Sequence, residues 1–274
     1  MANRPTDLGN DMRIIKTLLK IVLGLVLLVV VLVVGAVLSL RTNIPATDFG
    51  VEAPLAAAQD PRPVLIYGGN RKAGYEVTKL LRARGQAVTI AVRPTSDRSL
   101  VEPLGVDFVV ADALDVDAVN QAIVGSDYQA IITTIGCFSC EPPPDFLGNR
   151  NIIDAAKTNG GPRIILITSI GAGDSHEHTN LLTRLALRKI LPLKTQAEDY
   201  LRDSGLDYTI IRPGGLRGED GTPSSNTGLL YEDETTFGFI HRSDLAHLIV
   251  AALDDKRTVG KTLAAVDPGA ETPF

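Results

Sequence analysis

The pattern of apolar and polar positions divides the chain into three stretches. From Ile21 to Leu40 twenty residues run without a charge, dominated by Leu and Val. As a helix they extend about 30 Å, enough to cross the hydrocarbon layer of a bilayer. From Arg41 to Arg62 any apolar period is lost, and Pro45, Pro54, Pro61 and the Ala56-Ala57-Ala58 run read as a tether. Beyond it, short apolar runs at Val64–Tyr67, Ala87–Val92, Asp107–Val110, Ala130–Ile135, Arg163–Thr168 and Tyr208–Ile211 alternate with segments of helical period such as Tyr75–Arg84 and Val116–Ile123. Runs this short and this apolar predict strands buried on both faces, and the spacing between them suits crossover helices. The fold class expected is α/β, a doubly wound parallel sheet in the order 3-2-1-4-5-6. The organisation expected is a tail over residues 1–20, a transmembrane helix over 21–40, a linker over 41–62 and a single domain over 63–274.

The apolar run ends in Leu38-Ser39-Leu40-Arg41 and is longer than the core of a signal peptide, so an uncleaved single-pass anchor is expected. Arg4, Arg13, Lys16 and Lys20 precede it and Arg41 follows it. The excess of cations before the span places the N-terminus in the cytoplasm and the domain on the far side. The side of the membrane stays open.

Composition narrows the partners. A net charge of -5 and a pI near 5.4 supply no basic field for a phosphate backbone, so nucleic acid is not a partner. A small-molecule substrate and the membrane itself are the partners expected. Arg217 to Phe237, rich in Gly, Ser, Thr and acidic residues, reads as an irregular loop, either a binding loop or a solvated surface.

Candidate chemistry begins at the first strand. Val64–Tyr67 leads into Gly68-Gly69-Asn70-Arg71-Lys72-Ala73-Gly74, and a helix with Val77, Leu80 and Leu81 inward follows. This order is the Rossmann dinucleotide-binding unit: Gly68 makes the tight turn, the helix N-terminus offers donors to a pyrophosphate, and Gly74 allows helix and strand to pack closely. The cofactor-binding residues expected here are Gly68, Gly69, Asn70, Arg71 and Gly74. The middle glycine of the usual fingerprint is absent, and Arg71 and Lys72 occupy its region. The second strand ends in Ala91-Val92-Arg93 rather than in the acid that grips the ribose 2′-hydroxyl of NAD. With Arg71 and Arg93 facing a 2′-phosphate, the cofactor expected is NADP(H). Free dinucleotides are not expected in a periplasm, so this cofactor argues against the far side on which the cations place the domain.

From these residues onward the chain resembles the short-chain dehydrogenase/reductase superfamily, in its atypical NmrA-like and flavin-reductase-like branch. The matching motifs are Val109-Val110-Ala111-Asp112-Ala113-Leu114-Asp115, Asn151-Ile152-Ile153-Asp154-Ala155-Ala156-Lys157, Ile165-Leu166-Ile167-Thr168-Ser169-Ile170-Gly171-Ala172, and Lys194 with Ala197-Glu198 before Ser204 to Gly215. The resemblance implies that Asp112 meets the adenine, and that Ser169 and Lys194 are catalytic, Lys194 also binding the nicotinamide ribose. Catalytic members carry a tyrosine four residues before that lysine, and this chain has Ile190 there. Carbonyl reduction through a phenol is therefore not expected, and Tyr200 and Tyr208 read as packed aromatics. What remains is hydride transfer to a flavin-, quinone- or similar conjugated acceptor, or a non-catalytic NADP(H)-sensing or scaffolding role.

Cys137-Phe138-Ser139-Cys140 follows the fourth strand and His176-Glu177-His178 the fifth. Both loops leave the cofactor edge, which raises a zinc site or a redox pair. The histidine spacing is short for zinc, and Pro142-Pro143-Pro144 denies Cys137 the immediate helix N-terminus that depresses a thiol pKa. No metal is assigned, and the cysteines are read as inert loop thiols.

Overall fold

A computed structural model describes residues 8–39, 42–51, 57–218 and 226–270. The chain divides into an N-terminal unit, Met1–Arg41, and a folded unit, Thr42–Pro273. Helix α1 (Leu8–Ser39) contains the window Ile15–Gly35, with a mean hydropathy of 3.1 and no residue buried. It is long and apolar enough to cross a membrane. From Ile21 to Ser39 the helix carries no charged residue, so that stretch has no charged face to offer water.

All six expected strands form: β1 (Val64–Tyr67), β2 (Val88–Val92), β3 (Asp107–Val110), β4 (Ala130–Thr133), β5 (Arg163–Ile167) and β6 (Tyr208–Pro213). The sheet continues through β8 (Leu229–Tyr231) and β10 (Lys261–Val266), while β7 (Gly215–Arg217) and β9 (Phe239–His241) make a separate parallel pair. The main order is β3-β2-β1-β4-β5-β6-β10-β8, so the core order read from the sequence holds. The all-parallel expectation is corrected by β8, which runs antiparallel to β10 at the edge.

Alternation along each strand explains the two covered faces. Val64 and Ile66 enter one apolar cluster and Leu65 and Tyr67 the other, because successive side chains point to opposite sides of a strand. The first cluster includes side chains of α2 (Lys72–Ala83) and α7 (Arg242–Asp254). The second is built with α3 (Val116–Ile123), α4 (Pro144–Thr158) and α6 (Leu191–Arg202). A short helix, α5 (Leu181–Ala186), precedes α6.

Residues 42–51, read from the sequence as part of a tether, lie against the domain. Asn43 bridges Phe237, the Phe49 amide donates to Leu230 O at 2.7 Å, and Phe49 and Val51 pack on the first apolar cluster. Isolated apolar anchors of this kind leave no period in the sequence. Residues 57–62 of that tether are held as well, the Ala58 amide donating to Arg84 O at 3.0 Å, while residues 41 and 52–56 lie outside the described residues, as do residues 219–225 of the irregular stretch from Arg217 to Phe237. The described part of that stretch contains β8.

Candidate functional site

The loops that leave the carboxyl ends of β1 to β5 gather along one edge of the sheet. At β1 the chain turns at Gly68, whose φ of 84° lies in the left-handed region. A Cβ on Gly68 would meet Thr134 Oγ1 at 2.7 Å, and one on Gly74 would fall 2.1 Å from Gly68 O. The start of α2 therefore packs directly on the turn, as a pyrophosphate-binding unit requires. Thr78 Oγ1 donates to Gly69 O at 2.9 Å and holds the two together from inside. Among the described residues no side chain caps the α2 N-terminus, and its first turn carries no acid. Amide donors and the positive end of the helix dipole thus face the turn, which fits an anion there.

The turn after β1 is tied to the loop after β2, where Asn70 Nδ2 donates to Asp97 O at 2.9 Å. That loop folds back on itself, the Arg93 amide donating to Ser96 Oγ at 3.0 Å and the Ser96 amide to Arg93 O at 3.0 Å. Arg71 and Arg93 are both exposed, on loops that leave adjacent strands and are joined by this bond. Asp97 lies in the same loop, with Ser99 donating to its carboxylate and holding its pKa below the usual aspartate value. After β3, half-buried Asp112 accepts from the Leu114 amide at 3.0 Å and shapes its own turn.

Lys194 stands at the same edge. Its Nζ lies 3.1 Å from Asp145 Oδ1, and Asp145 at the start of α4 is buried. The second carboxylate oxygen of Asp145 accepts from the Cys137 amide at 3.0 Å. A Cβ on Gly136 would come within 3.0 Å of Asp145 Oδ1 and 3.4 Å of Lys194 Nζ, so this glycine keeps the backbone close to the pair. Asp145 escaped sequence reasoning. Its partner is distant in the chain, and the prolines before it drew attention only as a bar to thiol activation.

Pro192 falls at the second position of α6, where its missing N–H costs no helical bond. The Lys194 amide donates to Ile190 O at 3.0 Å, so the two residues lie one turn apart. Ile190 is buried. Tyr200 instead donates its hydroxyl to Asp154 Oδ1 at 2.6 Å and packs edge-on against Phe146 of α4. Tyr208 begins β6, at the opposite edge of the sheet from these loops. The Ser169 hydroxyl donates to Ile170 O at 2.9 Å.

Under this edge lies a buried charged network that the sequence did not announce. Arg212 grips Glu198 through Nε to Oε1 at 3.0 Å and Nη2 to Oε2 at 2.6 Å, and Thr168 Oγ1 donates to Oε1 at 2.6 Å. Arg212 also donates to Asp174, in the segment after β5. Burial pushes the Asp174 pKa up, but the hydrogen bond and charge of Arg212 outweigh it and hold the carboxyl below its ordinary value. The Gly173 amide donates to Thr195 Oγ1 at 2.9 Å, tying the same segment to α6. Between this segment and the start of α6 a cleft of about 750 Å³ opens, lined by His176, Glu177, His178, Leu191, Pro192 and Gln196 among others.

The cysteines are not free. Cys137 and Cys140 form a disulfide with their Cα atoms 5.4 Å apart, which corrects the reading as inert thiols and removes them as zinc ligands beside His176 and His178. His176 Nδ1 lies 3.1 Å from Gly171 O. A second titratable cluster went unread: His241 Nδ1 lies 3.6 Å from Asp244 and 3.7 Å from Asp267, both buried.

Comparison with known proteins agrees with this geometry. A family model described as NAD(P)H-binding matches residues 68–256. An uncharacterized chloroplastic protein of Arabidopsis thaliana is 30% identical over 252 residues, 81% of this chain and 75% of its own. Sanguinarine reductase of Eschscholzia californica is 38% identical over 121 residues, 43% of this chain and 42% of its own. Among solved structures, the anaerobilin reductase ChuY of Escherichia coli O157:H7 superposes with a TM-score of 0.68 at 28% identity, covering 76% of this chain and 98% of that one.

Proposed function

Since the chain belongs to the NAD(P)H-binding family, whose fold is that of NAD(P)H-dependent oxidoreductases, we propose that it is a membrane-anchored NADP(H)-dependent reductase that passes hydride to a flavin-, quinone- or similarly conjugated acceptor without a catalytic tyrosine. The observation that carries the reading is Lys194, fixed by buried Asp145 at the cofactor edge with Ile190 one turn before it. Bound NADPH supplies the hydride.

The chain's own residues bind and orient. Gly68, Gly69, Asn70 and Gly74 cradle the pyrophosphate against the α2 N-terminus, Arg71 and Arg93 take the 2′-phosphate, and Asp112 takes the adenine side. Lys194, with Asp145 against one flank, directs its remaining donors at the ribose next to the nicotinamide. Ser169 spends its hydroxyl on Ile170 O, and Ile190 has no proton to give, so the phenol relay of the tyrosine-bearing members has no counterpart here. The acceptor therefore takes its proton from water, which suits conjugated systems that carry the negative charge themselves. Two relatives bear the names of reductases, sanguinarine reductase and anaerobilin reductase. The cleft beside the start of α6 is the acceptor site in this reading, and α1 is the anchor.

The test is NADPH consumption by the full chain in detergent. Turnover with flavin or quinone and little with simple ketones is expected, whereas vigorous ketone reduction would overturn the reading. The backbone-satisfied Ser169 also suits a binding-only sensor, which predicts firm NADPH binding and no turnover with any acceptor.

A further inference from the structure

The loop after β4 carries a feature that cofactor binding does not use. Cys137 and Cys140 are bridged, half-buried and separated by Phe138, which is 74% exposed, and Ser139, also exposed. A dithiol can therefore approach the bridge from solvent. The Cys137 amide donates to Asp145 Oδ2 at 3.0 Å, while Asp145 Oδ1 holds Lys194 at 3.1 Å. One buried carboxylate thus joins the first cysteine's backbone to the lysine, and Gly136 keeps both within reach.

We infer that Cys137 and Cys140 form a thiol–disulfide exchange site for a dithiol reductant, and that its oxidation state sets how firmly Lys194 is positioned. In the exchange, a thiolate of the reductant attacks one sulfur of the bridge, the bond between Cys137 and Cys140 breaks, and the reductant's second thiol resolves the mixed disulfide. Two electrons and two protons pass to the cysteines, and the reductant leaves as a disulfide. With the bridge closed, the short ring holds the Cys137 amide on Asp145. With it open, the segment from Gly136 to Pro142 loses that constraint, the amide leaves a buried carboxylate, and Asp145 no longer fixes Lys194. Asp145 is a positioning residue here. The consequence for cofactor affinity rests on the proposed role of Lys194 at the ribose; the coupling of bridge to lysine does not.

The test uses the full chain in detergent, oxidised or treated with dithiothreitol, with the thiols counted by alkylation and mass spectrometry. Acylation of Lys194 by an amine-reactive ester, read on its own peptide, should become about threefold or more faster on reduction, and NADPH affinity should fall about three- to tenfold, the scale of one hydrogen bond. The Cys137→Ser/Cys140→Ser protein should label at the reduced rate with or without dithiothreitol; should it fail to fold, the reductant titration of the wild type stands alone. Unchanged Lys194 labelling between the two states would overturn the inference, as would a bridge that dithiothreitol leaves closed in the folded protein. Labelling that responds while NADPH binds in neither state would uphold the coupling and sink the cofactor reading instead.

Discussion

Replacing Gly74 with alanine probes the contact on which the pyrophosphate turn depends. The new Cβ would fall 2.1 Å from Gly68 O and 2.8 Å from Thr134 Oγ1. An ordinary carbon–oxygen approach is about 3.3 Å or more, so α2 must retreat from the turn by about 1 Å. Forced overpacking of this kind costs about 1–3 kcal/mol of stability. The same retreat carries the helix's N-terminal amides away from the phosphate, and loss of one charge-assisted bond is worth about tenfold to a hundredfold in affinity. Gly85→Ala supplies the comparison. Gly85 sits at the far end of α2 with φ 83° and nothing within 4 Å of its Cβ position, so alanine there meets only backbone strain of about 1–2 kcal/mol. Urea unfolding of both variants should show comparable destabilisation, and a fluorescence titration with NADPH should show loss of affinity in Gly74→Ala alone. Equal NADPH affinity for Gly74→Ala and the wild type would refute the placement of the pyrophosphate.

Other expectations follow from the same geometry. Arg93→Glu should weaken NADPH by about tenfold to a hundredfold and leave NADH nearly unchanged; equal wild-type affinity for the two dinucleotides would contradict NADP(H) preference. Glu198→Ala leaves Arg212, whose side chain is 4% exposed, with Asp174 as its remaining carboxylate, and should cost about 3 kcal/mol in urea unfolding, the lower end for a buried pair broken from one side. The folded pKa of Asp174 lies below its unfolded one, so its contribution is complete above about pH 4 and is lost as pH falls through the lowered folded value. Wild type should therefore exceed Asp174→Asn in Tm at pH 6, with the gap closing on acidification toward about pH 2.

Five of the six expected strands were legible as short apolar runs buried on both faces, as in Val64–Tyr67 and Arg163–Ile167, while β3 forms where expected but lies at the sheet edge and is only partly buried, against the expectation of two covered faces. The outer elements were not. β8 is three residues inside a polar stretch, and β10 begins with Lys261 and Thr262, which are only half-buried. The glycine turn could be read because Gly68 and Gly74 answer a local backbone demand. Asp145 could not, since what makes it important is Lys194, brought to it from another helix by the sheet order. The disulfide escaped for a related reason. The sequence shows two cysteines in one loop, and only the loop's path after β4 brings them within bonding reach.

The central claim is that NADPH bound at this edge gives up hydride with no protein phenol involved. Single-turnover oxidation of NADPH deuterated at the transferring C4 position, with a quinone acceptor, tests it most directly. A primary isotope effect is predicted for the wild type and should persist in Tyr200→Phe/Tyr208→Phe, while Lys194→Ala should lose cofactor affinity or rate. Bound NADPH that is never oxidised by any acceptor, or turnover that disappears when the two tyrosines are replaced in a protein that still folds, would contradict it.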